Sequence, residues 1–183
     1  MIRRLRSARL VRGERGYSLI ELLTVMVILG IVMGGLTQIF VAGSKAEADM
    51  NNRFQAQLNA RLSLDKIRRD THCATGVTPA NPTNSVTLSL PAACGGDKTY
   101  CTSAIGTTGS RYGLYWQLGS TCSAATGIKL IDYLTTGNLF SYTNQSTSSL
   151  AALTVDFPVS VKGGSIGRYE LKDTIYLRNS TRT

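Results

Sequence analysis

The feature that most constrains this chain is a stretch of 23 uncharged residues, Leu22 to Ser44, near the N-terminus. As an α-helix it would be roughly 34 Å long at about 1.5 Å per residue, which is enough to cross a bilayer core of about 30 Å. Glu21 lies in the same apolar run. Because a carboxylate in a membrane segment costs roughly 2.5–3.5 kcal/mol on insertion scales, we expect this acid to have a function.

The residues around Glu21 form a specific signal. A basic leader ends in Arg15-Gly16, and Tyr17-Ser18-Leu19-Ile20-Glu21 and the apolar run LLTVMVILGIV follow. This pattern resembles the type IV prepilin signal, which has a basic leader, Gly at the cut, an aromatic residue next and Glu five positions into the mature chain. The remaining layout resembles minor pilins and pseudopilins, and the ending at 169–179 resembles the closing strands of J-type pseudopilins.

The resemblance implies a structural subunit and not an enzyme. It implies cleavage after Gly16 by a prepilin peptidase/N-methyltransferase, methylation of the new amine on Tyr17, and a role for Glu21 in assembly. The implied partners are other pilins or pseudopilins, the inner-membrane assembly platform, and membrane lipid before assembly. The filament would belong to a type IV pilus or to a type II secretion-like machine.

The charge distribution predicts the orientation in the membrane. Six arginines and one acid give the leader a charge of +5, so that +4 of the total of +9 remains after cleavage. Basic residues before a first apolar helix are held on the cytoplasmic side. We therefore expect a single-pass protein of the cytoplasmic membrane whose residues from Lys45 onward lie outside.

Four cysteines fall in this exported part, namely Cys73, Cys94, Cys101 and Cys122. An even number in an oxidising compartment favours two disulfides. If strands near 86–90, 98–104 and 111–118 form a meander, Cys94 and Cys122 follow the same end of it. That arrangement favours Cys94–Cys122 with Cys73–Cys101, and the alternative is the sequential pairing, Cys73–Cys94 with Cys101–Cys122.

One long helix is predicted from Ser18 to Asp70, because no proline occurs before Pro79. Its second half has apolar residues at helical spacing, which predicts a stripe that covers a sheet. The members of this stripe are Met50, Phe54, Leu58 and Leu62, with Leu64 and Ile67 beside them.

The residues after Thr71 predict an antiparallel sheet. Segments 74–85 and 91–110 have the composition of loops. Alternating apolar residues predict strands near 86–90, 112–118, 153–161 and 169–177, the last two forming a hairpin through Lys162–Arg168. Because Pro158 lacks an N–H, its strand is expected at an edge or a bulge.

These elements predict an α+β fold of pilin type, with a protruding apolar half of the helix and a second half packed on the sheet. The expected divisions are a cleaved leader (1–16), a transmembrane and filament-core helix (17–44), an amphipathic helix half (45–72) and a disulfide-bonded β-rich head (73–183).

The sequence contains no set of residues that predicts catalysis, a cofactor or a metal site. The only histidine is His72, and the gaps between cysteines lack the tight pairs of zinc sites. Tyr112 and Trp116 are expected in the core, so no nucleic-acid partner is expected. The alternatives are a DNA-uptake pilin, to which a mature charge of +4 lends little support, and a signal-anchored extracytoplasmic binding domain.

Overall fold

The computed structural model describes residues 16–78, 84–106, 110–161 and 167–179. The chain divides after Ala46 into two units. One long helix, α1 (Leu19–Cys73), supplies residues to both units, and the strands all lie in the second. The helix is uninterrupted over 55 residues, as the absence of proline predicts.

Eight strands form one antiparallel sheet, which confirms the predicted α+β class. Neighbours along the sheet follow the order β1-β2-β3-β4-β5-β7-β6, and β8 pairs with the other side of β7. The strands are β1 (Gly76–Thr78), β2 (Ser85–Ser89), β3 (Lys98–Ala104), β4 (Tyr112–Leu118), β5 (Ile128–Leu134), β6 (Phe140–Thr143), β7 (Ala152–Val159) and β8 (Tyr169–Tyr176).

The loop composition of 74–85 conceals one strand, β1. Within 91–110 lie a short 3₁₀ helix, Ala92–Cys94, and β3, which has the bounds of the meander strand considered near 98–104. The three residues of β1 pair with β2, from Gly76 opposite Ser89 to Thr78 opposite Thr87. Polar residues form these strands because neighbouring strands supply their backbone hydrogen bonds and one face of the sheet needs no apolar side chains.

The hairpin of β7 and β8 is present, although residues 162–166 of its loop lie outside the described residues. The expectation of an edge or a bulge at Pro158 is wrong, because β7 pairs with β8 on one side and with β6 and β5 on the other. The backbone of Pro158 points to the side of β7 that pairs with β6 and β5, at a position beyond the residues that pair with β6. Its carbonyl accepts the Thr135 N–H at 3.0 Å. The missing N–H therefore interrupts no ladder bond.

The stripe predicted to cover the sheet is wrong for four of its six residues. Met50, Phe54, Leu58 and Leu62 are 69%, 59%, 39% and 58% exposed, whereas Leu64 and Ile67 are buried. The buried face of α1 consists of Ala56, Ala60, Ser63, Leu64, Ile67, Asp70 and Thr71. Ala56 and Ala60 supply small side chains to this face, and Leu64 and Ile67 supply its large ones.

A polar contact fixes the C-terminal part of α1 on the sheet. Asp70 accepts hydrogen bonds from Tyr100 Oη at 2.5 Å and from Lys98 Nζ at 2.8 Å, both on β3. Burial, and then the bond to Asp70, raise the pKa of the Tyr100 phenol well above its usual range, so it remains a donor. Lys66, one helical turn before Asp70, lies 3.9 Å above the Trp116 ring of β4.

We predict that Ile67→Ala lowers the free energy of unfolding by about 2–5 kcal/mol, because it leaves a cavity in the core. Leu62→Ala should change it by less than about 0.5 kcal/mol, since this side chain faces away from the sheet. Chemical denaturation of the two variants in the same detergent measures both values. Equal losses would contradict the assignment of the buried face.

Candidate processing and assembly site

The proposed cut lies in open backbone. Gly16 to Ser18 precede the first residue of α1, and all three are exposed. Tyr17 is 81% exposed, and a Cβ built on Gly16 would meet no atom within 4 Å. A peptidase can therefore reach the bond between Gly16 and Tyr17. The rest of the leader, 1–15, lies outside the described residues.

Glu21 lies in the first turn of α1, where a negative charge complements the exposed N–H groups of the helix. Its N–H donates to the Ser18 carbonyl at 3.0 Å, and its carbonyl accepts the Thr24 hydroxyl at 2.9 Å. Within the described part of the chain, no cation pairs with its carboxylate. A cation from elsewhere can therefore approach it.

The apolar segment, Leu19 to Ser44, has no buried residue. Its large side chains are between 42% and 82% exposed. By length and composition this part of α1 is able to cross a membrane. The glycines Gly30, Gly34 and Gly35 add open surface, because a Cβ on any of them would meet nothing within 4 Å.

A second apolar surface lies on the part of α1 that belongs to the second unit. We call it the outer stripe, and it consists of Met50, Phe54, Leu58 and Leu62. At about 100° per residue, Leu58 points about 180° away from the direction midway between Ala56 and Ala60. The outer stripe is thus the helix face opposite the sheet.

The structure contains both expected disulfides, but the favoured pairing is wrong. Cys73 pairs with Cys94 and Cys101 pairs with Cys122, with Cα–Cα distances of 6.5 and 5.9 Å. The sequential alternative is therefore the one present.

The alternation of β3 explains the pairing of Cys101. Tyr100 faces α1 and binds Asp70, so its neighbour Cys101 points to the other face of the sheet, away from Cys73. The chain after β4 returns to that same face, where Cys122 Sγ lies 3.8 Å from the Tyr115 carbonyl, and Tyr115 is the β4 partner of Cys101.

The undetected strand β1 explains the other bridge. Gly76 pairs with Ser89, and the Thr75 N–H donates to the Ser89 carbonyl at 2.9 Å. This contact brings the end of α1 beside the end of β2. Cys94 follows there in the 3₁₀ helix and meets Cys73.

The two aromatic residues that were expected in the core lie at its margin. Tyr112 and Trp116 are half-buried against the core, while Leu118 at the end of the same strand is 60% exposed. Among the described residues, no three His, Cys, Asp or Glu side chains lie together as metal ligands would.

Comparison with known proteins supports the reading of the N-terminus. Residues 11–37 match the family model described as the prokaryotic N-terminal methylation motif. The match spans Gly16, Tyr17 and Glu21, and together with the long apolar helix it fits a type IV pilin-like protein. No curated protein and no solved structure matches the chain.

Proposed function

We propose that this chain is a minor pilin or pseudopilin, a structural subunit of a type IV pilus or of a type II secretion-like filament. A prepilin peptidase cuts it after Gly16 and methylates Tyr17, and it joins other pilins at an inner-membrane assembly platform. One observation carries the proposal: a methylation motif runs into a helix whose apolar N-terminal segment, residues 19–44, is entirely exposed.

The exposed apolar segment is suited to two successive environments, first the membrane and then the filament. Lipid covers it in the membrane before assembly, and neighbouring helices cover it in the filament. Gly30 and Gly34 fit the small-xxx-small spacing that lets helices approach closely in a membrane. Their open surroundings leave room for such a neighbour.

The outer stripe supports a second contact between subunits. Four large apolar side chains in successive turns, opposite the sheet, have no cover from the described part of their own chain. Packing against a neighbouring subunit would remove them from water, at about 25 cal/mol for each Å² of apolar surface buried.

Charge and disulfides support a head outside the cytoplasm. The six leader arginines favour retention of the leader on the cytoplasmic side. The two bridges belong to an oxidising compartment, since the cytosol keeps thiols reduced. The head folds with both bridges in place, and export provides the conditions for them.

We predict that Gly16→Val blocks cleavage, because a peptidase that draws the backbone close to its catalytic groups has no room for a branched side chain there. Intact-mass measurement should find the full-length chain in the membrane. Gly13→Val, three residues upstream, is the matched control and should yield a mature chain that starts at Tyr17. Normal cleavage of Gly16→Val would refute the prepilin assignment.

We predict that Glu21→Ala is cleaved and stays in the membrane but enters filaments at least tenfold less. The carboxylate then no longer pairs with the amine of a Tyr17, on its own or a neighbouring subunit, in a setting where one unpaired partner costs several kcal/mol. Quantifying the subunit in sheared filaments measures this. Glu14→Ala is the control, because cleavage removes that residue, and unchanged incorporation of Glu21→Ala would exclude the role.

We predict that Leu58→Glu folds normally yet reduces incorporation into filaments several-fold, because it places a charge in the middle of the outer stripe. The matched variant Gln55→Glu adds the same charge beside the stripe and should incorporate normally. The melting temperature of each variant in detergent checks the fold. If both variants assemble like the original chain, the outer stripe is not an interface.

A further inference from the structure

Among the described residues, one edge of strand β8 is unpaired along its whole length. The strand pairs only with β7 among the described strands. The Leu177 N–H donates to the Ala151 carbonyl at 2.9 Å, and pairing alternates along antiparallel strands. Odd-numbered residues of β8 therefore direct their N–H and C=O groups to β7, and the even-numbered ones direct theirs outward.

The outward groups belong to Glu170, Lys172, Thr174 and Tyr176. The N–H of Thr174 donates to its neighbour Asp173 Oδ1 at 2.9 Å. Within the described residues, the other three N–H groups have no acceptor. Proteins usually shorten, cover, bulge or charge such an edge. Among the described residues, the eight-residue edge of β8 is neither short, covered nor bulged, and its charges, Glu170 and Lys172, oppose indiscriminate pairing while it remains a template for a complementary strand.

A groove follows this edge between β8 and α1. It consists of two depressions of about 370 and 280 Å³ that share Arg68. The partly exposed Leu171 lines the first above the buried Leu64, and the partly exposed Leu150 lines the second beside the buried Ile175, so each offers some apolar surface to a side chain.

At each end of the groove lies an arginine that pairs with no carboxylate of the described residues. Arg68, in the middle, already pairs with Asp173 at 2.8 Å and with Asp65 at 3.1 Å. Among the described residues, Arg61 hydrogen-bonds to the Tyr169 hydroxyl, at 3.5 Å, and neither Arg61 nor Arg178 pairs with a carboxylate. Two guanidinium groups without a carboxylate thus mark the two ends of β8.

We propose that the edge of β8 binds an extended segment of a different protein chain, with a carboxylate towards each end of that segment. Main-chain hydrogen bonds to the outward groups of β8 provide affinity, and alternate side chains enter the groove. The terminal carboxylates pair with Arg61 and Arg178, and carboxylate–guanidinium pairs are among the stronger hydrogen-bonded contacts.

A second copy of this chain fits less well as the occupant. The two symmetric registers that overlap seven of the eight residues of β8, and that keep outward groups opposite outward groups, place Lys172 opposite Lys172 or Asp173 opposite Asp173. Like charges directly opposite each other destabilise a strand pair. The proposal goes beyond the filament function and depends on none of the contacts of α1 proposed for it.

The test uses the purified full chain in detergent and two synthetic peptides, acetyl-ETVTVTVTE-amide and acetyl-KTVTVTVTK-amide. In these nine-residue strands both terminal charges and the three valines point to the same face. We expect the glutamate peptide to bind at least tenfold more tightly at low salt and to slow amide exchange in β8. Lys172→Pro removes one outward N–H without touching the β7 ladder, and should lower affinity at least tenfold. Lys172→Ala, which keeps that N–H, is the control.

Arg178→Ala should reduce the affinity for the glutamate peptide towards that for the lysine peptide. Equal binding of the two peptides, protection of amides outside β8, or full binding by Lys172→Pro would overturn the proposal. Self-association that Lys172→Pro abolishes would make a second copy the occupant and would equally overturn it.

Discussion

The packing of one narrow face of α1 on the sheet is the contact on which the rest of the second unit depends. Ala56 and Ala60 are buried in this contact, and Ile67 is buried in the core beyond them. Asp70 then fixes the rotation of the helix through Tyr100 and Lys98. Because this rotation is fixed, the larger apolar residues of the same helix must face outward.

The outer stripe shows why helical periodicity alone misled the assignment of the buried face. Two apolar faces repeat every four residues, one with Phe54, Leu58 and Leu62 and the other with Ala56, Ala60 and Leu64. The larger side chains predicted the first face as the core, whereas the second face, which carries the two alanines, is the buried one. The four-residue spacing of Ala56 and Ala60 is the pattern that could have identified the buried face. Alanine contributes little hydrophobicity, so this spacing is hard to detect in the sequence.

The N-terminal signal, the length of α1 and the β7–β8 hairpin were predictable because each depends on local sequence. The absence of proline fixes an unbroken helix, and alternation in 153–161 fixes the buried side of β7. The pairing of Cys73 with Cys94 was not predictable in this way. It depends on β1, a strand of three residues that is too short to show an alternating pattern and that pairs with β2.

The apolar surfaces of α1 and the edge of β8 differ in how strictly they select a binding partner. An exposed stripe such as that around Leu58 gains from any apolar cover and therefore selects partners weakly. A strand edge fixes register through its N–H groups, and Arg61 and Arg178 add a requirement for charge at two positions. Contacts along α1 are thus suited to repetitive assembly, while β8 is suited to recognising one particular chain. In the proposed filament, a subunit that has both kinds of surface can occupy one fixed position among similar subunits. The contacts along α1 bury its apolar side chains, and the edge of β8 selects which subunit lies next to it.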